Sequence, residues 1–394
     1  MVFLRRYAAL LEAREVRQLF AASLIGRLPI GITGLAVLLL VQNASGSFAQ
    51  GGATAACYVA GLATVAPALG RLIDLYGPRW ILLACALLFP AALVLLVASV
   101  TLSGPAWLTL VLAASAGACF PPITVCMRTY FKQRFADDER LGTAYSVESI
   151  LIELIFIVGP MLVAGLVAFA SAAAAVCAAA ACALAGTLLF TRSPALRRWR
   201  VEPRSARSLL GPLAHPGFVP LIAVVLCFSM AFGLLEIGVT AFAIETGDPA
   251  LAGVLLGLMS LGSALGGLAY GSRGWHFPLE RQFAAMLVVM AAGLALLALD
   301  WKPWPFAALA LLAGVVMAPV LIVQSMLVAK SVRPEHSTEA FTWSTSALLS
   351  GVGIGLAAGG GLLEIFRSGA PLAAAAASAL LAAAGAARLR AFRA

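Results

Sequence analysis

Long apolar runs separated by short polar connections occupy most of this chain. A helix of roughly 20 apolar residues crosses the hydrocarbon core of a bilayer. Charged residues make up only 11% of the sequence, against about 25% in a soluble domain. The runs are continuous and do not alternate, which favours helices over a β-barrel. We therefore predict an all-α integral membrane protein with twelve transmembrane helices, at 17–42, 48–69, 79–100, 105–127, 142–168, 171–190, 217–243, 250–270, 281–299, 304–328, 338–363 and 371–388.

The sequence lacks the patterns expected of an enzyme or a metalloprotein. Its seven cysteines lie inside apolar runs with no CxxC spacing, which predicts neither a disulfide framework nor a metal site. Gly359-Gly360-Gly361 also lies in an apolar run and lacks the Lys-Ser/Thr of a phosphate loop. We expect no catalytic residues, no metal, no cofactor and no nucleic-acid partner, although the net charge is +9.

The basic residues are distributed unevenly across the membrane. Of the 26 Lys and Arg residues, 23 fall in the N-terminus, the C-terminus and the connections that follow even-numbered spans. The exceptions are Arg27, Lys302 and Arg367. Because cytoplasmic segments carry the excess of Lys and Arg, we predict that both termini are cytoplasmic. The protein is then a multi-pass component of the cytoplasmic (inner) membrane.

The two halves of the sequence resemble each other at an offset of 196 residues. Ala144 and Gly159 correspond in this way to Ala340 and Gly355, and similar matches recur in several spans. The longest polar interruption, 191–216, separates six spans from six. We therefore predict two pseudo-symmetric six-helix bundles. The expected domains are an amphipathic lead-in at 1–16, a first bundle at 17–190, a cytoplasmic central loop at 191–216 and a second bundle at 217–394.

The connection between the second and third spans carries a short charged motif. It contains Gly70, Asp74, Gly77 and Arg79 in the pattern G-x-L-x-D-x-x-G-x-R. This pattern resembles the signature loop of the major facilitator superfamily of secondary transporters. The resemblance implies two parallel six-helix halves that carry a small-molecule substrate across the bilayer by alternating access. The generic alternative is a tight hairpin between two membrane helices.

The resemblance also implies a conformational latch at this loop. Asp74 would lie near the cytoplasmic start of the eleventh helix, beside Thr338 and Glu339, and would stabilise the outward-facing state. Glu148, near the cytoplasmic end of the fifth span, is expected to bridge to Arg79 or to Arg128. In the second half the motif has Tyr270 where Asp74 would be. Glu339 and Glu364, at the two ends of the eleventh span, are expected to be solvated.

Three ionisable residues within spans are candidates for substrate binding or proton coupling, because a charge in the membrane is costly unless it is paired or hydrated. By the resemblance, Arg27 on the first span and Glu236 on the seventh would line the central cavity. Arg27 would contact an anionic substrate, or form a structural ion pair, for instance with Glu153. Glu153 on the fifth span would exchange protons. Glu236 would do so too, or would reach the outer interface near Glu245.

The fifth span contains Gly159, Pro160 and Gly165, which partly match the fifth-helix motif of proton-coupled antiporters in this superfamily. These residues would permit close packing against the facing half, although ordinary small-residue packing explains them equally well. The fourth-helix Arg common in drug:proton antiporters has no equivalent in 113–122.

The stretches 14–29 and 143–160 are similar to a bacterial group described as arabinose-efflux or drug-efflux permeases. This implies a secondary active transporter that exports an amphiphilic or drug-like compound in exchange for protons. The alternatives are a transporter of a small organic anion or sugar, with Arg27 as the anion contact, and a non-transporting membrane receptor. We expect a monomer whose partners are its substrate, protons and the lipid bilayer.

Overall fold

The fold comes from a computed structural model that describes residues 14–135, 137–197, 199, 201, 211–248, 251–299 and 301–389. The predicted amphipathic lead-in therefore lies outside the described residues up to position 13. Among the described residues, twelve helical spans are long and apolar enough to cross a membrane, which confirms the predicted number. The connections between successive spans of one half are short, so neighbouring helices run back and forth.

The described part of the first half contains eight helices, of which two together form the fourth span and one short helix follows the sixth. They are α1 (Arg14–Ser45), α2 (Phe48–Tyr76), α3 (Pro78–Thr101), α4 (Ala106–Ala118), α5 (Ile123–Arg134), α6 (Asp138–Phe169), α7 (Ala172–Thr191) and α8 (Pro194–Arg197). A 3₁₀ turn at Gly211–Ala214 then leads into the second half.

The second half repeats this order, with its fourth span again made of two helices. Its helices are α9 (Phe218–Glu245), α10 (Leu251–Gly271), α11 (Leu279–Leu297), α12 (Pro303–Gly314), α13 (Met317–Ser331), α14 (Ser337–Leu363) and α15 (Gly369–Ala386). A 3₁₀ turn at Pro334–His336 precedes α14.

The fourth span differs from its prediction as a continuous helix at 105–127. It is broken between α4 and α5, and it extends to Arg134. Pro121 and Pro122 lack the backbone N–H that a continuous helix would need, so the helix restarts after them. The tenth span has a matching break between α12 and α13.

Glycines bring the helices of each half into close contact. A Cβ at Gly117 would collide with the carbonyl oxygen of Tyr58 on α2, and one at Gly314 with that of Met259 on α10. Small residues allow helix backbones to approach closely where lipid gives no hydrophobic driving force. The same crossing, of the second helix with the fourth span, is therefore built in both halves.

The halves meet most extensively along two pairs of helices, α2 with α14 and α6 with α10, and α6 also contacts α13. We call the end of the bundle with the Lys- and Arg-rich connections the basic end; it includes 71–79, 128–140 and 330–339. Hydrogen bonds between the halves extend from this end to mid-depth, as described below. The bundle is thus closed at the basic end.

Candidate transport site

Two arginines share one buried glutamate inside the first half. Nη1 of Arg27 on α1 lies 3.2 Å from Oε1 of Glu148 on α6. Nε of Arg128 on α5 donates to the other carboxylate oxygen of Glu148, at 2.8 Å. Arg27 and Glu148 are fully buried, and the Arg128 side chain is 10% exposed. The first, fourth and fifth spans are therefore tied together by a charged triad about midway along α1.

The remaining donors of Arg27 are also occupied. Its Nε donates to the carbonyl oxygen of Ser23 and its Nη2 to the hydroxyl of Ser23, both at 3.3 Å. Its Nη1 lies 3.5 Å from Oγ1 of Thr124. Glycines on each side of Arg27 fix this helix: Gly26 packs directly on the backbone of α7, and Gly31 packs on α6. In this conformation Arg27 has no surface with which to meet a substrate.

Two sequence-based hypotheses about pairing can now be compared with the structure. Arg27 pairs with Glu148, so the suggested pairing with Glu153 is wrong. Of the two partners suggested for Glu148, Arg128 is the one observed. Arg79 is exposed, and its guanidinium carbon lies 5.9 Å from the ring centroid of Trp80. Arg79 is therefore not a partner of Glu148 in this conformation.

Glu153 lies between the halves. One turn beyond Glu148 on α6, its Oε1 accepts a hydrogen bond from the hydroxyl of Ser263 on α10, at 2.7 Å. Its side chain is half-buried. At 1.5 Å per residue, Glu153 lies roughly 22 Å along α6, near the middle of that 32-residue helix. A carboxyl group is thus part of the contact that joins the two halves.

Glu236 on α9 is placed quite differently. Its residue is exposed, and its carboxylate has no hydrogen bond or ion pair to the described residues. Glu245, the neighbour suggested from sequence, instead accepts hydrogen bonds from the backbone N–H and the hydroxyl of Ser368, at 2.8 and 2.7 Å. Glu236 and Glu153 are therefore separate sites, one unpartnered and one bridging the halves.

Asp74 lies where the sequence places it. Its Oδ1 and Oδ2 accept the backbone N–H groups of Thr338 and Glu339, at 3.0 and 2.8 Å. These are among the first N–H groups of α14, which have no partner within the helix. The carboxylate of one half therefore caps a helix of the other, where the helix dipole also favours a negative charge.

Two glycines of the motif shape this contact. A Cβ at Gly70 would overlap Thr342 and would lie 2.9 Å from the Cα of Glu339. Gly70 is thus needed for α2 to approach α14. Gly77 adopts φ +81° at the turn between α2 and α3, a conformation that other residues rarely adopt.

Further polar contacts close the basic end. Nζ of Lys132 donates to the carbonyl oxygen of Val332 at 3.2 Å and to the hydroxyl of Ser337 at 2.9 Å. The hydroxyl of Thr143 lies 2.9 Å from two carbonyl oxygens, that of Gly271 in the other half and that of Glu139 in its own helix, and its one proton is shared between them. Lys330 also pairs with Asp138 across the halves.

Sequence reasoning did not single out these contacts. The only available signal was the position of Lys132 in the last turn of a span, where a basic residue is common for many reasons. The sequence does not identify Ser263 as the partner of Glu153, because the hydroxyl of a serine in a membrane helix usually donates to a backbone carbonyl of its own helix.

Two further expectations need correction. Gly159 does not pack against the facing half: a Cβ there would lie 2.6 to 2.7 Å from the backbone of Gly31, in the same half. A Cβ at Gly165 would have no neighbour within 4 Å. Pro160 lies within α6 without interrupting it. Glu339 is buried, with 4% exposure, and not solvated, because α2 and the turn at Gly211–Ala214 cover the start of α14.

A family model for the Major Facilitator Superfamily matches residues 19–271, well over half of the chain. The chain belongs to this superfamily. The match covers the first half from residue 19 onward and ends with α10 of the second half. A search of curated proteins finds no match.

Solved structures of the superfamily superpose on nearly the whole chain. The human organic anion transporter MFSD10 (TETRAN) has a TM-score of 0.74 at 17% identity, covering 95% of this chain and 99% of its own. A bacterial homologue of the iron transporter ferroportin, in an outward-facing state, has a TM-score of 0.76 at 15% identity, with coverages of 95% and 98%. A variant of the E. coli fucose:proton symporter FucP has 0.72 at 12% identity, with coverages of 94% and 97%. At these identities the likeness establishes the fold alone.

The superfamily and these neighbours are transporters and not enzymes. This protein is accordingly a multi-pass membrane transporter with a small-molecule substrate. Its arrangement of contacts between two halves suits alternating access, in which opposite ends of the bundle open in turn.

Proposed function

We propose that this transporter exports an amphiphilic or drug-like compound in exchange for protons. It would lie in the cytoplasmic (inner) membrane as a monomer, with both termini in the cytoplasm. The distribution of Lys and Arg supports this orientation, because 23 of the 26 lie in segments on one side. In that orientation the basic end is cytoplasmic, and the closed basic end corresponds to an outward-facing state.

The hydrogen bond between Glu153 and Ser263 is the observation that carries the proposal of proton coupling. An ionised carboxylate only accepts hydrogen bonds, whereas a protonated one also donates. A charge within the apolar contact between α6 and α10 costs more than a neutral carboxyl group would. Proton binding at Glu153 therefore changes the free energy of the contact between the halves, and so biases the equilibrium between the two states.

Glu236 is the second carboxyl considered for proton exchange. Its unpartnered carboxylate is free to bind a proton, but it forms no hydrogen bond or ion pair with the described part of the first half. A proton there would not directly alter the closure of the basic end. We therefore assign the coupling role to Glu153.

The composition supports an amphiphilic substrate more than a sugar. Sugar hydroxyls need many hydrogen-bonding side chains, yet Asn43 is the only asparagine in the chain. Gln324, one of six glutamines, already donates to Ser344. A largely apolar cavity would take up a compound with a substantial apolar part.

The rival with Arg27 as a direct anion contact is weakened by the geometry. Arg27 is fully buried, and its donors are directed to Ser23, Thr124 and Glu148. It would have to leave Glu148 before it could bind a substrate. The likeness to a human organic anion transporter, at 17% identity, does not restore this rival.

Reconstituted protein tests the proposal. We would place wild type, Glu153→Gln, Glu236→Gln and the control Glu364→Gln in liposomes containing a pH-sensitive dye. A proton gradient would be imposed, and 2-naphthoate, 2-naphthamide and 2-naphthylmethylammonium would be added one at a time. Glu364 is exposed at the end of α14, so its variant controls for the loss of one carboxylate.

We expect proton movement that depends on a naphthyl compound, retained in Glu364→Gln and Glu236→Gln and lost in Glu153→Gln. Everted membrane vesicles would then show accumulation of the same compound, as export requires. Substrate movement without proton movement, or a Glu153→Gln variant that behaves like wild type, would contradict the proposal.

A further inference from the structure

The charged triad of the first half carries an unbalanced positive charge. Arg27 and Arg128 contribute two positive charges, and the carboxylate between them, Glu148, contributes one negative charge. Salt bridges among the described residues bring no second carboxylate to either arginine. Nearby acids are engaged elsewhere: Glu153 with Ser263, and Asp74 with the start of α14. One positive charge therefore remains uncompensated at a site within the membrane-spanning bundle.

The two arginines differ in what they have left to bind. Arg27 uses Nε, Nη1 and Nη2 in contacts with the protein. Arg128 uses only Nε, and its Nη1 and Nη2 have no partner in the part of the chain that the structure describes. Neither nitrogen is completely buried. Oγ1 of the adjacent Thr129, by contrast, is completely buried and has no hydrogen-bond partner. The free edge of the Arg128 guanidinium thus reaches accessible space.

The geometry of this free edge specifies the ligand. The Nη1 and Nη2 groups of a guanidinium form a planar fork, which a carboxylate accepts with two parallel hydrogen bonds. Glu148 holds the opposite side of the group through Nε, so the fork is fixed in direction. The carbonyl oxygen of Arg128 also accepts from the hydroxyl of the buried Tyr145, which anchors the backbone. A carboxylate at the fork would neutralise the triad and remove the cost of its extra charge.

We propose that Arg128 binds the carboxylate of an organic anion, so that the transported amphiphile carries a negatively charged head group. This inference rests on the proposed function and names its substrate class. Arg27 is a positioning residue in this scheme, because it holds Glu148, which in turn holds Arg128. A guanidinium attracts any small anion, so the test must distinguish an organic carboxylate from chloride.

Ligand binding by purified protein tests this proposal without protons or transport. The equilibrium Kd would be measured for 2-naphthoate, for the neutral 2-naphthamide and for chloride, with the protein in detergent. The variants are Arg128→Gln, Arg128→Lys and the control Arg134→Gln, which removes one exposed positive charge from the same helix. Arg128→Gln leaves Arg27 and Glu148 as a balanced pair, so it is expected to fold.

We expect 2-naphthoate to bind wild type and Arg134→Gln with the same Kd, and to bind at least tenfold more tightly than 2-naphthamide. Arg128→Gln should lose this preference. Arg128→Lys should weaken 2-naphthoate binding severalfold, because an ammonium lacks the fork. If Arg128→Gln is not folded, the Lys variant alone decides the outcome.

Equal binding of 2-naphthoate and 2-naphthamide would overturn the proposal, as would an unchanged Kd in Arg128→Lys and Arg128→Gln. Arg128-dependent binding of chloride without binding of 2-naphthoate would also overturn it, since the site would then hold an inorganic anion only. Binding of 2-naphthoate without proton-coupled transport would contradict the proposed function and leave the Arg128 site standing.

Discussion

The two halves have the same helices at matching positions but different chemistry. Arg128 and Glu148 of the first half correspond to Gln324 (or its neighbour Ser325, because the offset in this span is 196 or 197 residues) and Ser344 of the second. The first pair forms an ion pair between α5 and α6, and the second forms a neutral hydrogen bond between α13 and α14. The fold therefore does not need charge at these positions. The charge of the first half is better explained by a function than by packing.

Two equivalent helix pairs that meet at the basic end show the same asymmetry. Where α2 meets α14, the carboxylate of Asp74 accepts two backbone N–H groups. At the equivalent contact of α10 with α6, the hydroxyl of Thr143 shares its one proton between the carbonyl oxygen of Gly271 and that of Glu139 in its own helix. Tyr270, which stands where Asp74 would be, bonds within its own half to Gln282 at 2.7 Å. One contact is ionic and the other is neutral.

The largest effect should come from the charged pair. Glu148→Gln leaves two buried arginines without a counter-charge, and breaking a buried ion pair on one side costs about 3–5 kcal/mol. Ser344→Ala removes one neutral hydrogen bond, which is worth about 1 kcal/mol. Denaturant unfolding in detergent would measure both. Equal losses of unfolding free energy in the two variants would show that the ion pair of the first half contributes no more stability than the neutral hydrogen bond of the second.

Asp74→Asn should weaken the ionic contact more than Thr143→Val weakens the neutral one. Hydrogen bonds to a charged group contribute about 1.5–3 kcal/mol, against about 0.5–1.5 kcal/mol for neutral ones. Hydrogen exchange at the amides of Thr338 and Glu339 measures the contact with Asp74 directly, because these amides donate to its carboxylate. We expect these amides to exchange at least tenfold faster in Asp74→Asn, with α15 unchanged as an internal control. Unchanged protection would mean that Asp74 does not hold the basic end closed.

Gly70 and Gly266 occupy equivalent positions in the two halves, but Gly70 contacts the other half and Gly266 contacts its own half. Gly70→Ala places a methyl group against Thr342 and Glu339 of the other half, whereas Gly266→Ala places one against the carbonyl of Val315 in its own half. Overpacking costs about 1–3 kcal/mol. Gly70→Ala should therefore open the basic end while the bundles stay stable, and Gly266→Ala should lower thermal stability. Thermal unfolding measures the loss of stability, and hydrogen exchange of α14 measures the opening of the basic end. If Gly70→Ala lowered thermal stability and Gly266→Ala opened the basic end, the assignment of Gly70 to the contact between the halves would be wrong.

The smallest effect should be a pH dependence where the central loop meets the second half. Partial burial and the nearby Arg333 lower the pKa of His215, although Glu335 opposes this. The folded state then binds this proton less readily than the unfolded chain, whose histidine pKa is about 6.5. The stability it contributes is present above that pH and declines as the pH falls through the folded value.

His215 packs on His336, with ring centroids 6.0 Å apart. After correction for intrinsic rates, hydrogen exchange of residues 211–217 should be faster at pH 5.5 than at pH 7.5. His215→Gln should remove most of that difference. A difference that survives in His215→Gln would assign the pH dependence to another group.

The sequence was informative where a residue's surroundings follow from chain order. Spans and halves depend on local pattern, whereas the position of Asp74 at the start of α14 was implied by the resemblance of its motif to the superfamily's signature loop. Hydrophobic length alone decides that a helix spans the membrane.

The sequence failed where the answer depends on the rotation of one helix against another. Arg27 faces Glu148 and not Glu153, because Gly26 and Gly31 set how α1 lies against α7 and α6. Gly159 packs within its half for the same reason. Residues 148 and 153 lie about 140° apart around the helix. The sequence alone does not determine which of the two glutamates on α6 faces α1.

We propose that the closed basic end alternates with an open one. Trp80 and Phe277 are exposed in the two halves at the basic end, and Trp107 and Trp304 are exposed at the opposite end. Spin labels introduced as unnatural amino acids at each pair would report the two distances in lipid, with and without 2-naphthoate, at pH 5.5 and 7.5. If the two ends open in turn, a longer basic-end distance and a shorter opposite-end distance appear together under some of these conditions. A single unchanging distance at both ends under every condition would contradict it.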